Sequence, residues 1–578
     1  MESDSSMIQS LVCDTCWDTV FSTEGWQTVL AGEQVSGHNG FSSGFSYKTN
    51  WSAIQIAAAN GCNWCRLLTK PKSRQGGEYE VEVWAACDED SDCTLGGEKM
   101  LRIVVDRSKS PDAPFYCQTR TGAKTVSGYG SHNQYYMYTS QDILLNSAFR
   151  RFVAARERIT DVSSPESYQL ALECLNHCIR THHGCPPPQA DVFLPDRVID
   201  CFNPRKPKIV LTGGKHQGHY VTLSYVWGGP QPLTTTQNID NYVNEGMDMS
   251  NFPQTIQDAD SMKDKERQLG QMRYIYRNAF LTINVACASS SQEGFLARDR
   301  PQRYSNARIP YRCPDGKVGS VWIAKAHDFD PDNNRSYWEE LEPAAYRGWC
   351  LQEKMLPPRS LVYASDTLKF HCQTETANIG HALCEPSTGR RLPGIIYQPR
   401  GPGGSDTPLS KEEQVAYRQA WLAVLFMYTV REISVPSDKL IALAGVAEQF
   451  HLVYHDEYLA GLWRRTLLLD LLWATQVATR RHPRPEKYRA PSWSWASING
   501  IVGTKYLEAT LGSMPSIRQA EILDCRVTLA SEEAPFGEVR EGILKLKGFK
   551  QEVALQSDTV GAVHLAKPGT YRHRIYGS

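Results

Sequence analysis

The sequence predicts a mixed α/β fold, and three observations support this prediction. Residues 195–385 alternate strand signals with helical stretches, a pattern that is typical of α/β units. Apolar residues make up 41% of the chain and charged residues 22%, as in globular proteins. At 578 residues the chain is too long for one ordinary core. We therefore expect an α/β block with further structural units on either side of it.

The chain divides into five predicted segments. They are an N-terminal cysteine-containing α+β region (1–140), a helical lead-in (160–205), the α/β block (206–385), a helical region (410–480) and a β-rich C-terminal extension (485–578). Apolar residues at helical spacing predict the lead-in helix over 165–182. Alternating apolar residues predict strands at Tyr79–Trp84, Leu101–Val105, Lys208–Thr212, Tyr220–Tyr225, Ala279–Ala286, Val321–Ala324 and Leu361–Ala364.

The charge balance argues against nucleic acid and anionic membranes as partners. The chain contains 62 basic and 63 acidic residues, and its formal net charge is −1. The acidic, polar start MESDSSMIQS does not read as a secretory signal. The most apolar runs, Trp421–Tyr428 and Leu467–Ala474, are far shorter than the roughly 20 residues that span a bilayer. We expect a cytoplasmic protein with reduced thiols, no nucleic-acid partner and no membrane span.

Two Cys-x-x-Cys pairs stand near the N-terminus, at Cys13/Cys16 and Cys62/Cys65. This spacing within each pair is that of zinc knuckles, so it predicts a structural zinc site with four thiolate ligands. The separation between the pairs is longer than in common zinc fingers, and His38 is a spare candidate ligand. The alternative is a set of reduced, partly buried cysteines without metal.

The segment Tyr220–Gly228 reads as a short buried strand that runs into a glycine turn. Ser224, Tyr225 and Trp227 stand at its carboxyl end, immediately before Gly228. In α/β sheets, ligands are bound outside the carboxyl ends of the strands, so these residues are candidate ligand-binding groups. The alternative is that Tyr225 and Trp227 cover an edge of the core.

Several motifs follow in a fixed order: Leu223-Ser224-Tyr225-Val226-Trp227-Gly228, Pro253-Gln254-Thr255-Ile256-Gln257-Asp258-Ala259, Tyr274-Ile275-Tyr276-Arg277-Asn278-Ala279 and Arg347-Gly348-Trp349-Cys350-Leu351-Gln352-Glu353. This set resembles the heterokaryon-incompatibility (HET) domain of fungal proteins. The lead-in Leu194–Asp200 and the later Pro491–Ala496 extend the resemblance over most of the chain. It implies a TIR-like α/β HET domain at 206–385 and an effector of non-self recognition and programmed cell death. It also implies action through protein partners or self-assembly.

One departure from the family pattern stands next to Ala259. The family carries a strand that ends in a Trp-Val-Asp-Ser-Leu-Cys-Ile-like motif between two helices, whereas Asp260–Glu266 joins those helices directly here. A missing strand should expose a sheet edge and unsatisfied backbone groups. Either the sequence comes from a splice or gene-model artefact, which we favour, or the fold reconnects. An inactive paralogue and a truncated gene product remain as alternatives.

The resemblance also implies candidate chemistry. Some TIR domains cleave NAD with a glutamate on a helix that reads Trp-Cys-Leu-x-Glu in plants, and this chain has Trp349-Cys350-Leu351-Gln352-Glu353. Glu353 is thus the candidate catalytic carboxylate of a NAD glycohydrolase, where it would stabilise an oxocarbenium-like transition state. The candidate ligand-binding residues are Ser224, Tyr225, Trp227, Gly228, Arg347 and Trp349. The alternative is a non-enzymatic effector in which Arg347 and Glu353 are helix-surface charges and Trp349 belongs to the core.

Other catalytic patterns are weaker. The chain has no Gly-x-Ser-x-Gly, no P-loop and no His-Glu-x-x-His motif, which disfavours standard hydrolases, NTPases and metalloproteases. Cys350 and Cys372 are further candidate nucleophiles, and His371 adjoins Cys372. Adjacent residues of a strand point to opposite faces, so His371 is poorly placed to activate Cys372.

Overall fold

The fold is described from a computed structural model. It covers residues 2–30, 45–69, 78–87, 99–105, 114–119, 133–138, 159, 161–188, 192–203, 205–229, 234–235, 237–259, 272–300, 306–312, 316–325, 341–377, 379, 392–397, 409–475, 484–503, 520–548, 554–557, 563–566 and 574–575.

The N-terminal part of the chain alternates short helices and strands. The helices are α1 (Glu2–Gln9), α2 (Asp14–Asp18), α3 (Thr23–Leu30), α4 (Trp51–Ala59) and α5 (Asn63–Leu68). The strands are β1 (Phe45–Asn50), β2 (Glu78–Cys87), β3 (Lys99–Val105), β4 (Pro114–Thr119) and β5 (Asn133–Tyr138). Asn50 ends β1 and starts α4, because its side-chain oxygen accepts the Ala53 N–H at 2.8 Å.

The lead-in consists of helix α6 (Pro165–Thr181) and the antiparallel pair β6 (Arg197–Asp200) and β7 (Lys208–Leu211). Helix α6 begins at Pro165 because the Ser164 hydroxyl accepts the Ser167 N–H at 3.2 Å. Its buried residues Ala171, Leu175 and Cys178 recur every three or four positions and form one apolar face. The helix predicted over 165–182 is therefore found at that position.

The central block contains the elements from residue 221 to residue 377. They are β8 (Val221–Ser224), α7 (Ile239–Asn244), α8 (Gln254–Ala259), α9 (Met272–Arg277), β9 (Leu281–Val285), β10 (Asn306–Arg312), β11 (Val318–Lys325), α10 (Trp349–Met355), β12 (Arg359–Tyr363), β13 (Leu368–Cys372) and β14 (Thr376–Ala377).

A five-stranded sheet with the order β14-β13-β12-β9-β8 forms the centre of this block. Strands β8, β9 and β12 are parallel, and β13 and β14 run antiparallel to their neighbours. One face of the sheet presents Leu223, Val285 and Tyr363 to a core that includes Leu175 and Cys178 of α6. Because side chains alternate along a strand, the opposite face carries the intervening residues. Strands joined through helices confirm the mixed α/β class.

Strand β8 is the edge of this sheet within the described residues, and it pairs directly with β9. Val221, at the start of β8, is 52% exposed. The sequence predicts that a strand of the family pattern is absent after Ala259. Residues 260–271, where this departure falls, lie outside the described residues. The prediction therefore stays a prediction.

A seven-stranded sheet joins the N-terminal part to the central block. Its order is β1-β2-β3-β4-β5-β11-β10, so the hairpin β10–β11 extends a sheet whose other strands precede residue 140. Tyr311 of β10 packs edge-on against Trp26 of α3, with 5.6 Å between ring centroids. The guanidinium of Arg312 donates to the Phe21 carbonyl. The predicted ranges 1–140 and 206–385 thus share one sheet and one core.

The C-terminal part contains helices first and strands later. Its elements are α11 (Gly394–Tyr397), α12 (Lys411–Thr429), α13 (Asp438–Tyr454), β15 (Tyr458–Leu459), β16 (Leu462–Trp463), α14 (Leu467–Asp470), β17 (Ala474–Thr475), β18 (Val502–Gly503), β19 (Ala520–Leu529), β20 (Val539–Gly548), β21 (Ala554–Ser557), β22 (Val563–Ala566) and β23 (Arg574–Ile575). Helix α12 starts with a capping box between Ser410 and Glu413. Helix α13 ends at Tyr454 because His455 adopts a left-handed conformation with φ 48°.

The C-terminal helices share a core with helix α10 of the central block. Leu351 and Met355 of α10 belong to the same buried cluster as Trp421 of α12 and Leu443 of α13. Within the described part of the chain, no helix combines the length and the apolar character needed to cross a membrane.

Candidate functional site

The two Cys-x-x-Cys pairs meet at the start of two short helices. Cys13 precedes α2 and Cys62 caps α5, so Cys16 and Cys65 lie one turn into their helices. The Cys16 sulfur is 3.5 Å from that of Cys13, 3.6 Å from that of Cys65 and 3.9 Å from that of Cys62. The four sulfurs lie within 4.8 Å of one another. The sequence-predicted ligand set is therefore brought together, and it could hold a metal ion.

The surroundings of these thiols are apolar and tightly packed. Cys16, Cys62 and Cys65 are buried, and Cys13 is half-buried, in a core that contains Trp64. Hydrogen bonds with Cys16 and Cys65 lower the pKa of the Cys62 thiol, and those with Cys62 and Cys65 raise the pKa of the Cys16 thiol. Four sulfurs in one apolar region, one of which (Cys62 Sγ) accepts the Cys65 N–H at 3.4 Å, match a closed, structural tetrahedral site. His38 lies outside the described residues.

A second group of polar side chains lies at the carboxyl ends of β8 and β9. Ser224 and Asn284 are register partners on these parallel strands, so they stand side by side on the same face. Ser224 is fully buried, and Asn284 is 6% exposed. Neither Ser224 Oγ nor Asn284 Oδ1 has a hydrogen-bond partner among the described residues. A buried oxygen without a hydrogen bond destabilises the fold unless another group donates to it, so each of these two oxygens could accept a hydrogen bond from a ligand.

Thr255, at the start of α8, adds a third oxygen of this kind. It is fully buried, and its Oγ1 has no hydrogen-bond partner in the described ranges. Its N–H donates to the Ser291 carbonyl at 2.8 Å, and Ser291 in turn donates to the Trp227 carbonyl. Sequence reasoning noted the Pro-x-Thr-Ile motif but assigned no role to the threonine. Only the fold brings it near the end of β8.

Glu353 lies on α10 and is 2% exposed. Helix α10 contacts both β8 and β9, and its Cys350 packs with Val226 at the end of β8. Residues three apart lie on the same face of a helix, so Glu353 shares the face of α10 that carries Cys350. Ser224 and Val226 point to the side of the sheet that α10 contacts. Glu353 is thus buried and is not a helix-surface charge.

The other residues of the strand motif have structural partners. Tyr225 is buried in the core against α6, and Trp227 packs on the edge of that core. The Trp227 carbonyl accepts two hydrogen bonds from Ser291, from its N–H at 3.2 Å and its hydroxyl at 2.9 Å. Gly228 has φ 72°, and a Cβ atom there would overlap Ser290. The motif therefore ends in a turn that fits closely against residues 289–291.

Arg347, Gly348 and Trp349 lie where α10 meets the C-terminal helices. The Trp349 indole N–H donates to Asp438 Oδ2 at 3.2 Å, and the Gly348 N–H donates to the Glu432 carbonyl at 2.9 Å. Arg347 forms an isolated parallel bridge with Glu432, and its side chain is half-buried. These residues connect the central block to the segment between α12 and α13. Their predicted role in ligand binding stays a prediction.

A comparison with protein families decides what this block is. Residues 256–353 match the family model described as "Heterokaryon incompatibility protein (HET)". The chain carries a HET domain. Searches of curated proteins and of solved structures found no match to the chain. The resemblance to the HET family is therefore confirmed, on a span from helix α8 to Glu353.

The HET match covers only part of the candidate site. Thr255 immediately precedes the matched span, Asn284 lies inside it and Glu353 is its last residue, whereas β8 with Ser224 lies before it. Strand β8 nevertheless pairs with β9 along its whole length. The structural unit that surrounds Glu353 is thus larger than the matched segment.

A cationic cavity of about 190 Å³ lies at the opposite end of the parallel strands. Its wall includes Arg273, Arg277 and Arg359, next to the residues that lead into β9 and β12. Glu448 offsets one of these charges, because its carboxylate is 3.0 Å from Arg273 Nε. Three guanidinium groups in one cavity can accept an anion. No sequence pattern predicted this cavity, because its arginines come from α9 and β12.

A buried charged cluster, also missed from the sequence, lies beyond β12. Glu342 is 3% exposed, and its Oε1 accepts the Ser365 N–H at 2.8 Å. Burial raises the pKa of Glu342 above the ordinary carboxyl value. Lys369 Nζ lies 3.5 Å from Asp366 Oδ2 in the same cluster. Two buried carboxylates, Glu342 and Glu353, thus lie near the carboxyl ends of the strands in the described part of the HET block.

Gly228→Ala should lower the free energy of unfolding by at least about 1 kcal/mol, because φ 72° disfavours a side chain and the added methyl overlaps Ser290. Gly229→Ala is the matched control, since described residues leave its Cβ position open, and it should stay within about 0.5 kcal/mol. Urea unfolding measures both. Equal effects of the two substitutions would contradict the close packing assigned to this turn.

Proposed function

We propose that this chain is an effector of fungal non-self recognition whose HET domain triggers cell death in the cytoplasm. We further propose that the C-terminal helices hold the HET domain in a closed state, which a protein partner or self-assembly opens. The family match supports the first part. The burial of Cys350–Glu353 and the packing of Leu351 and Met355 against the C-terminal helices support the second part, and they are the observation that carries the proposal.

Specific contacts support the closed state. The Gln352 side-chain oxygen accepts the Gly445 N–H of α13 at 2.8 Å. Arg431, just after α12, donates to the carbonyls of Ala344 and Arg347 at 3.1 and 3.2 Å. Hydrogen bonds from a charged donor contribute about 1.5–3 kcal/mol each. Such contacts are strong enough to bias an equilibrium, and few enough for a partner to compete with them.

Arg431→Ala should shift the chain toward the open state and increase cell death. Loss of about 1.5–3 kcal/mol corresponds to a shift of roughly tenfold or more in the equilibrium. The measurement is colony viability of a filamentous fungus that expresses the full chain from an inducible promoter, at matched protein levels. We expect viability to fall at a lower expression level for Arg431→Ala than for the wild-type chain.

The control is Arg464→Ala, which removes a hydrogen bond to the Cys525 carbonyl inside the C-terminal part and leaves the HET contact intact. It should behave as wild type. If neither the wild-type chain nor Arg431→Ala reduces viability at any expression level, the effector proposal is wrong and the inactive paralogue becomes the better reading.

The second candidate function is cleavage of NAD by a TIR-like HET domain. The burial of Glu353 on a helix that contacts β8 and β9 favours it, since Ser224 and Asn284 lie at the carboxyl ends of these parallel strands. In this reaction the bond between ribose C1′ and the nicotinamide nitrogen breaks, and nicotinamide leaves with the bonding electron pair. Water supplies the new bond to C1′. The Glu353 carboxylate would stabilise the oxocarbenium-like ribose. The buried oxygens of Ser224, Asn284 and Thr255 would accept hydrogen bonds from the ribose hydroxyls.

Glu353→Gln should abolish release of nicotinamide, with at least a roughly hundredfold loss, because the amide has no charge to stabilise the cationic transition state. The assay follows nicotinamide by chromatography after incubation of concentrated full-length protein with NAD. Glu412→Gln, at an exposed position in the first turn of α12, is the control. Unchanged NAD with the wild-type chain, under conditions where it assembles, would rule out the enzyme.

We also propose that zinc occupies the site of Cys13, Cys16, Cys62 and Cys65. The separations of 3.5–3.9 Å between Cys16 and the other sulfurs support this, since thiolates around tetrahedral zinc lie about 3.8 Å apart. Elemental analysis of the full chain, purified without chelator, should find this zinc, and Cys62→Ser should remove one equivalent. A folded N-terminal part that contains no metal would count against the site.

A further inference from the structure

A second set of possible metal ligands lies where the lead-in meets the HET sheet. Cys178 is in the last turn of α6, His182 follows the helix, and Cys185 stands in the next turn. Cys372, the last residue of β13, completes the set. The three sulfurs and one imidazole nitrogen lie within 4.8 Å of one another. Of these four residues, the sequence singled out only Cys372, as a candidate nucleophile.

The orientation of His182 is that of a metal ligand. Its Nδ1 points at the cluster and lies 3.2 Å from the Cys372 sulfur, while its Nε2 lies 3.2 Å from Glu375 Oε2. A carboxylate on the far nitrogen fixes the tautomer in which Nε2 carries the proton, so the Nδ1 lone pair is available. Histidine ligands of zinc are held in this way in many proteins.

The sulfurs receive the hydrogen bonds that thiolate ligands need. The Glu375 N–H donates to Cys372 Sγ at 3.3 Å, and the Thr374 hydroxyl lies 3.3 Å from Cys185 Sγ. Both donors come from the turn between β13 and β14, which also supplies Glu375. One short turn therefore orients the histidine and two of the three sulfurs. Such outer partners are typical of built metal sites.

The cluster also has the burial of a structural site. Cys178, Cys185 and Cys372 are 1%, 5% and 0% exposed, and all three are free thiols. A reactive Cys372–His182–Glu375 arrangement would need access for a substrate, which a fully buried sulfur does not offer. Three thiolates and one imidazole make the Cys₃His set that binds zinc tetrahedrally, with ligand atoms about 3.5–3.8 Å apart.

We propose that Cys178, His182, Cys185 and Cys372 form a second structural zinc site, which fastens the lead-in helix α6 to strand β13 of the HET sheet. The site is distinct from the N-terminal cysteine cluster, and its first and last ligands, Cys178 and Cys372, are 194 residues apart in the chain. Bound zinc would therefore constrain a long loop and add to the apolar contacts that hold α6 against the sheet.

The test counts zinc in the full-length chain, expressed with zinc and purified without chelator. Cys372→Ser should lower the zinc content by about one equivalent. Cys174→Ser, on the same helix but outside the cluster, should leave it unchanged. Because Cys62→Ser reports the N-terminal site separately, loss at one site is distinguishable from loss at the other. Equal zinc content in Cys372→Ser and the wild-type chain would overturn the proposal.

A second variant keeps the test valid if Cys372→Ser does not fold. Glu375→Gln leaves all four ligands in place and weakens only the support of His182, so it should lower zinc affinity roughly 10–100-fold in chelator competition. An affinity equal to that of the wild-type chain contradicts the proposed role of His182. Rapid alkylation of Cys372 by iodoacetamide in the zinc-loaded chain would also contradict the proposal, because a buried, zinc-bound sulfur does not react.

Discussion

The junction between the central block and the C-terminal part depends on helix α10, which is packed on two sides. Cys350 contacts Val226 at the end of the HET sheet, while Leu351 lies in the core of the C-terminal helices. A helix of seven residues is not stable in water by itself, so these contacts are what keep it helical. The HET domain and the C-terminal part are consequently not independent units. Any event that exposes Glu353 must also disturb the packing of α10 against α13.

The two sulfur clusters occupy comparable positions in the architecture. Each lies where a helix meets a segment that is distant in the chain, the first between α2 and α5 and the second between α6 and β13. Each is buried next to an apolar cluster, at Trp64 in one case and at Phe370 in the other. Apolar packing is not directional, whereas metal–ligand bonds fix geometry. Such sites can therefore set the mutual position of segments that hydrophobic contacts alone would leave less defined.

The sequence could predict what depends on local periodicity and spacing. Helix α6 and strands β8, β9 and β12 were recognised because their apolar residues recur at helical or strand intervals. The Cys-x-x-Cys pairs were recognised because a turn of helix brings such residues together. The second cluster was missed, since His182 and Cys372 are 190 residues apart and no spacing rule relates them. Thr255 and Asn284 were missed as partners of Ser224 for the same reason.

Local sequence patterns were enough to predict the resemblance to the HET family, the mixed α/β class and the polar groups at the carboxyl end of β8. The tertiary structure decided that the hairpin β10–β11 joins the N-terminal sheet and that Glu353 is buried. It also decided which thiols meet. The reason is physical: helix and strand periodicity records how a residue relates to its neighbours in the chain. Burial and ligand geometry arise from contacts between segments that the chain order does not relate.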